Sequence, residues 1–147
     1  MILKNRSLTS ICTAMLVSTS MLVSSAAQAC TRFVYLGAND QVITARSMDW
    51  KVDVGTNLWV FPRGMKRSGE AGPNSIQWTS KYGSVIASAY DVSTTDGMNE
   101  AGLVANVLWL VESSYPKYDG KTPGLSLPAW AQYVLDNFAT EIGRAHV

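Results

Sequence analysis

Apolar and polar positions alternate at the start of the chain and recur at helical steps near its end. Cys30 to Leu36 alternates and is rich in Thr, Phe, Val and Tyr. Gly37-Ala-Asn-Asp40 then supplies turn residues before Val42 to Ala45, so the punctuation predicts a β-hairpin. The second strand runs out at Arg46-Ser47-Met48-Asp49-Trp50. In an antiparallel pair that end returns to where the first strand began, which makes Arg46 and Asp49 expected neighbours of Cys30.

Short apolar runs follow. Asn57 to Pro62 reads as a strand closed by proline, with a polar loop continuing through Pro73. Ile76 to Thr79 and Ser84 to Ala89 read as two strands parted by Lys81-Tyr82-Gly83. Asp96-Gly-Met-Asn-Glu-Ala-Gly102 reads as a structural turn, with Gly97 and Gly102 supplying unusual backbone angles. Leu103 to Val111 is nearly continuous apolar sequence, interrupted only by Asn106, and suits a buried central strand. Ser113 to Ser126 holds two prolines and two glycines and reads as loop. Ser126 is then placed to cap a helix with Pro128 in its first turn. Leu127, Trp130, Ala131, Val134, Leu135 and Phe138 recur at three- and four-residue steps, giving that helix an apolar face that needs a cover. Strands followed by an amphipathic helix predict an α+β layered domain.

The two ends have a different character. Residues 1–29 carry Lys4 and Arg6, an apolar and small-residue run from about Ile11 to Val23, and a close at Ala27-Gln28-Ala29. This is the layout of a secretory signal peptide. The run is short and rich in Ser and Thr for a membrane span, which needs roughly 20 mostly apolar residues. Bacterial lipoprotein signals usually carry Leu three residues before the modified cysteine. Here that place holds Ala27, so cleavage without lipidation is expected, and a lipid-anchored protein modified at Cys30 is the alternative. One back-translation of residues 141–147, Glu-Ile-Gly-Arg-Ala-His-Val, matches the start of a widely used sequencing adapter, which leaves 30–140 as the expected domain segment. The expected location is periplasmic or secreted, with no membrane association after signal cleavage.

Charge narrows the partners. Residues 30–140 hold nine Lys or Arg and ten Asp or Glu, with no basic cluster longer than Lys66-Arg67, which argues against nucleic acid or an anionic membrane. No metal-ligand spacing and no phosphate loop are present, so no metal or cofactor is expected. His146, the only histidine, falls in the terminal seven residues, so a Ser-His-Asp set is not available before them.

Cleavage after Ala29 would place a thiol and a free α-amine on one residue, Cys30. A thiol attacks carbonyls as the thiolate, and free cysteine titrates near 8.5, so it gains from a base. An α-amine titrates at about 7.7 to 8.0 and serves as that base without histidine. A nearby guanidinium such as that of Arg46 favours thiolate, and a carboxylate such as that of Asp49 can hold the α-ammonium in place.

Cys30-Thr-Arg-Phe33, then Thr44-Ala-Arg-Ser-Met-Asp-Trp50, then Thr95-Asp-Gly-Met-Asn-Glu-Ala-Gly-Leu103 resemble the choloylglycine hydrolase family of linear amide C–N hydrolases, which includes penicillin V acylases and bile salt hydrolases. The resemblance implies an N-terminal nucleophile hydrolase fold, a four-layer αββα sandwich of which this chain holds the N-terminal part. It implies Cys30 as nucleophile with its own amine as base, Arg46 and Asp49 as the residues beside it, a small-molecule amide substrate, and a homo-oligomer, tetrameric in the family. The family often carries an oxyanion-hole asparagine ten residues after the Asn of its Asp-Gly-Met-Asn-Glu motif. Here that place holds Trp109, a departure that puts the oxyanion partner in doubt. Trp109 with Trp50, and Trp59 and Trp78 as further candidates, would wall an aromatic or long apolar acyl group. That ranks penicillin V-like amides first, acyl-homoserine lactones next and bile salts after them. The family's further asparagine and arginine fall beyond Thr140.

Overall fold

The computed structural model describes residues 30–110, 112–115 and 117–141. The expected leader and all but Glu141 of the terminal seven residues lie outside them, as does Val111. The elements in order are β1 (Arg32–Leu36), β2 (Val42–Arg46), β3 (Leu58–Phe61), β4 (Lys66–Ser68), β5 (Gln77–Thr79), β6 (Ser84–Ala89), β7 (Ser93–Asn99), β8 (Val104–Asn106) and α1 (Leu127–Asn137). They make an antiparallel four-stranded sheet in the order β3-β6-β7-β8 and two separate hairpins, β1-β2 and β4-β5.

The β1-β2 hairpin forms as its sequence suggests. Asn39 and Asp40 both take φ of 58°, a left-handed turn that Asn and Asp tolerate better than most residues. Arg32 pairs with Arg46, and the Ser47 N–H donates to the Thr31 carbonyl at 2.9 Å, one step past the last pair.

Register sorts the four-stranded sheet into two faces, because side chains alternate along each strand. Trp59, Ile86, Gly97 and Ala105 lie in one cross-strand row, and Phe61, Ser84 and Asn99 in another. This face takes α1, which buries Ala129, Ala131, Val134 and Leu135. Fully burying a leucine such as Leu135 contributes roughly 1.5–3 kcal/mol. The opposite face carries Val60, Val85, Met98 and Val104 in one row and Leu58, Ala87, Asp96 and Asn106 in the next. It is open, with Leu58 78%, Val60 77%, Val85 50% and Met98 54% exposed.

Four expectations are corrected. The polar stretch before Pro73 contains β4, because Lys66-Arg67-Ser68 pairs with Gln77–Thr79. Asp96-Gly-Met-Asn99 is strand, and the turn is confined to the residues after it, where Gly102 takes φ of 88°. Gly97 does not take a left-handed backbone; it is required by close packing. A Cβ there would lie 2.7 Å from both Ile86 Cγ2 and Leu135 Cδ1. The Leu103–Val111 run is not a buried central strand: only Val104–Asn106 pair, at the sheet edge among the described residues, and Leu108, Trp109 and Leu110 are exposed. An apolar run is buried only where neighbours cover it on both sides, and the described residues supply a partner on one. The helix also departs from the pattern. It starts after Ser126 with proline in its first turn, but no side-chain cap bond forms, and the buried face includes Gln132 and Asp136 while Leu127 and Trp130 remain exposed.

Those two buried polar residues are satisfied. Gln132 donates to Asp136 Oδ1 at 2.8 Å and to Ser84 Oγ at 3.2 Å, and accepts from Thr94 Oγ1 at 2.8 Å. Asp136 also accepts from Trp78 Nε1 at 2.7 Å and lies 3.5 Å from Arg67 Nε. Asn99 closes the helix end, donating to the Leu135 and Phe138 carbonyls at 2.8 and 2.7 Å. Its Oδ1 accepts from the Ala101 and Leu103 N–H groups. A buried network of this kind specifies one arrangement because leaving any member unpaired is costly.

Candidate active site

The open end of the β1-β2 hairpin holds the expected nucleophile. Cys30, a free and half-buried thiol, lies 4.0 Å from the Asp49 carbonyl oxygen, a weak thiol-to-carbonyl contact. The chain crosses over itself here. The Thr31 N–H donates to Ser47 Oγ at 3.3 Å, and Ser47 Oγ donates to Asp49 Oδ2 at 3.0 Å. Asp49 is thus brought to Cys30 through its backbone, while its carboxylate is held by Ser47. Ser47 carries no signal in the sequence beyond its place between Arg46 and Asp49.

Arg46 reaches away from the hairpin to the four-stranded sheet. Its Nε lies 2.9 Å from Asp96 Oδ1, and its Nη2 donates to the Val107 carbonyl. The side chain is only 9% exposed; Nε meets Asp96 as an ion pair without hydrogen-bond alignment, and the Nη1 group is buried with no hydrogen-bond partner among the described residues. Arg46 and Cys30 share a face of the hairpin by register, since Arg46 opposes Arg32 and Cys30 lies two residues before Arg32. Asp96 accepts a second contact from Asn106 Nδ2 at 2.9 Å. Asp96 and Asn106 were not among the sequence candidates: the stretch holding Asp96 reads as a turn, and its partner Arg46 is remote in sequence.

Trp50 and Trp109 come together, ring centroids 5.6 Å apart and edge to face at 71°, a favoured aromatic geometry. Trp50 donates to the Tyr90 hydroxyl at 3.2 Å, and both indoles are exposed enough to meet a ligand. Trp59 and Trp78 are elsewhere. They line a cleft of about 300 Å³ with Phe61, Arg67 and Gln132 on the helix side of the sheet, whereas Arg46 meets the opposite face. Arg67 stacks over Phe61 at 4.2 Å in that cleft. At its rim the Asn57 amide, the Ser88 hydroxyl and the Trp59 indole hold the Asp91 carboxyl below its ordinary 3.8. Among the described residues no three His, Cys, Asp or Glu side chains converge as a metal site.

What this arrangement offers is a thiol at a chain crossing, a guanidinium on the same face and an aromatic pair nearby, with no histidine among the described residues. Comparison with known proteins gives the family of this chain. The sequence model of the linear amide C–N hydrolases, choloylglycine hydrolase family, matches residues 30–142. Penicillin V acylase of Pectobacterium atrosepticum is 59% identical over 149 residues, which cover 95% of this chain and 40% of that protein. The structure of penicillin V acylase from Agrobacterium tumefaciens is 83% identical with a TM-score of 0.76, over 78% of this chain and 36% of that one. The chain therefore spans about two-fifths of the length of the curated relative it matches. Its sheet, hairpins and helix are part of the α+β, N-terminal nucleophile hydrolase fold of the solved enzyme. The chain belongs to the choloylglycine hydrolase family of linear amide C–N hydrolases.

Proposed function

We propose that this chain carries the nucleophile of an exported amidase whose signal peptide is cut after Ala29, leaving Cys30 as the first residue of the active enzyme. The α-amine takes the thiol proton, and the sulfur attacks the amide carbonyl carbon to give a tetrahedral oxyanion. The ammonium returns that proton to the leaving nitrogen as the C–N bond breaks, and a thioester remains. Water, losing a proton to the same amine, attacks the thioester carbonyl and releases the acid and the thiol. Arg46 favours the thiolate, and Asp49 accepts a hydrogen bond from the α-ammonium. Trp109 stands where the family's oxyanion asparagine is expected; with Trp50 it walls the acyl group.

The observation that carries this reading is the Cys30 end itself: a free thiol against the Asp49 backbone, beginning the residues that match the family. The edge-to-face Trp50–Trp109 pair supports an aromatic acyl group, and the likeness to two penicillin V acylases supports penicillin V over bile salts and acyl-homoserine lactones. Periplasmic or secreted location follows from the leader. The test is to export the full-length protein, measure its intact mass and assay hydrolysis of penicillin V. A mass that starts at unmodified Cys30, with activity abolished in Cys30→Ala, is the expected result. A gain of several hundred daltons at Cys30 would support the lipid-anchored alternative.

A further inference from the structure

The open face of the sheet is apolar except where Asp96 and Asn106 stand side by side in its Leu58-Ala87-Asp96-Asn106 row. Charged groups on such a face are costly unless paired, and Arg46 supplies the pair. Asp96 Oδ1 lies 2.9 Å from both Arg46 Nε and Asn106 Nδ2. The Val107 carbonyl, which accepts from Arg46 Nη2, is itself fixed because the Val107 N–H donates to the Thr95 carbonyl at 2.7 Å. Neither hairpin strand pairs with the four-stranded sheet, so this contact joins the part of the molecule that carries Cys30 to the part that is rigidly packed.

We propose that Asp96 is the positioning residue for Arg46: its carboxylate, held in turn by Asn106, fixes the guanidinium so that the buried and unpartnered Nη1 group is presented on the Cys30 face of the hairpin. Asp96 does not touch substrate. The role rests on the reading of Cys30 as nucleophile, and it gives the Asp of the Asp-Gly-Met-Asn-Glu stretch a task that a turn would not need. Asn106 keeps the carboxylate from following the arginine, and the ladder between β7 and β8 keeps both in register.

The test follows the pH dependence of Cys30 alkylation by iodoacetamide, together with penicillin V kinetics, in the full-length protein and its Asp96→Asn, Arg46→Ala, Arg46→Lys and double Asp96→Asn/Arg46→Ala variants. If Asp96 acted only as a negative charge near the thiol, its removal would move alkylation to lower pH, because carboxylate opposes thiolate. A positioning role has the opposite sign. Asp96→Asn releases the guanidinium and moves the alkylation profile to higher pH, in the direction of Arg46→Ala. The double variant matches Arg46→Ala because the two act as a unit, and kcat falls about 10- to 100-fold with KM little changed, the loss a small displacement brings. Arg46→Lys, a point charge that cannot span both the carboxylate and the Val107 carbonyl, moves the same way and carries the test if Asp96→Asn does not fold. A profile that is unmoved or moves to lower pH in Asp96→Asn, or one unmoved in Arg46→Lys, overturns the proposal. Failure of the wild-type protein to hydrolyse any amide would instead count against the function reading, and the alkylation arm would still decide the coupling.

Discussion

The two faces of the four-stranded sheet are built by opposite means. The helix side is closed: Leu135 fills the space that Gly97 leaves, and Thr94, Gln132, Asp136 and Asn99 find their hydrogen bonds within it. The other side exposes Leu58, Val60, Val85 and Met98, and the described links to the Cys30 end are the polar grip of Asp96 and the Val107 carbonyl on Arg46 and the contacts of Trp50 with Tyr90 and Trp109. A scaffold held by many interlocking contacts thus carries a Cys30 end held by fewer. The contrast separates stability from chemistry: changes on the helix side should unfold the protein, and changes at the grip should alter Cys30 while leaving the fold in place.

The largest expected effect is at Asp136. Asp136→Ala removes a fully buried carboxylate and strands the Trp78 indole, the Gln132 amide and the Arg67 guanidinium. It should destabilise the full-length protein by about 3 kcal/mol in chemical denaturation. Gly97→Ala comes next, at about 2 kcal/mol, because its methyl would overlap Ile86 and Leu135. Arg46→Ala should cost less in stability than either while changing Cys30 alkylation most. Equal destabilisation by Arg46→Ala and Asp136→Ala would break the contrast.

On the open face, Val60→Ala sharpens it. On the four-layer αββα arrangement that the family resemblance implies, a second sheet would cover this face, and the substitution should then cost about 1 kcal/mol in the full-length protein. A value near zero would mean that Val60 stays in water. Acid gives the smallest effect. Asp91 is held below its ordinary value by Asn57, Ser88 and Trp59, Glu100 by the Gly83 N–H and then Arg63, and Asp119 by the Lys121 and Thr122 N–H groups. Depressed folded values mean that the unfolded chain binds more protons. Their contribution is therefore present above the ordinary range of 3.8 to 4.5 and is lost as pH falls through the lower folded values. A melting temperature that drops more gently below pH 4.5 in Asp91→Asn than in wild type is the expected signature.

What could be read from the sequence was local. The first hairpin was legible because Asn39 and Asp40 state the turn and the flanking residues alternate. So was the helix, whose spacing and Pro128 mark its start. β4 was not, since Lys66-Arg67-Ser68 has no apolar alternation and becomes strand only by pairing with β5. Gly97 misled for a related reason: a glycine in a turn-rich stretch suggests backbone freedom, yet its use here is to admit Leu135. Cys30, Arg46 and Asp49 were named as candidates by motif, and the structure brings Cys30 against the Asp49 backbone while Arg46 reaches Asp96. The way Ser47 holds the Asp49 side chain, and Asp96 that of Arg46, depends on chain crossings that no local pattern records.

The central claim is that the Cys30 sulfur accepts the acyl group. Quenching full-length enzyme in acid during turnover of penicillin V, then mapping peptides by mass spectrometry, tests it directly. The account predicts an acyl mass on the peptide that begins at Cys30, formed faster than it decays and absent in Cys30→Ala. Turnover with an acyl adduct on another residue, or undiminished turnover in Cys30→Ala, would contradict it.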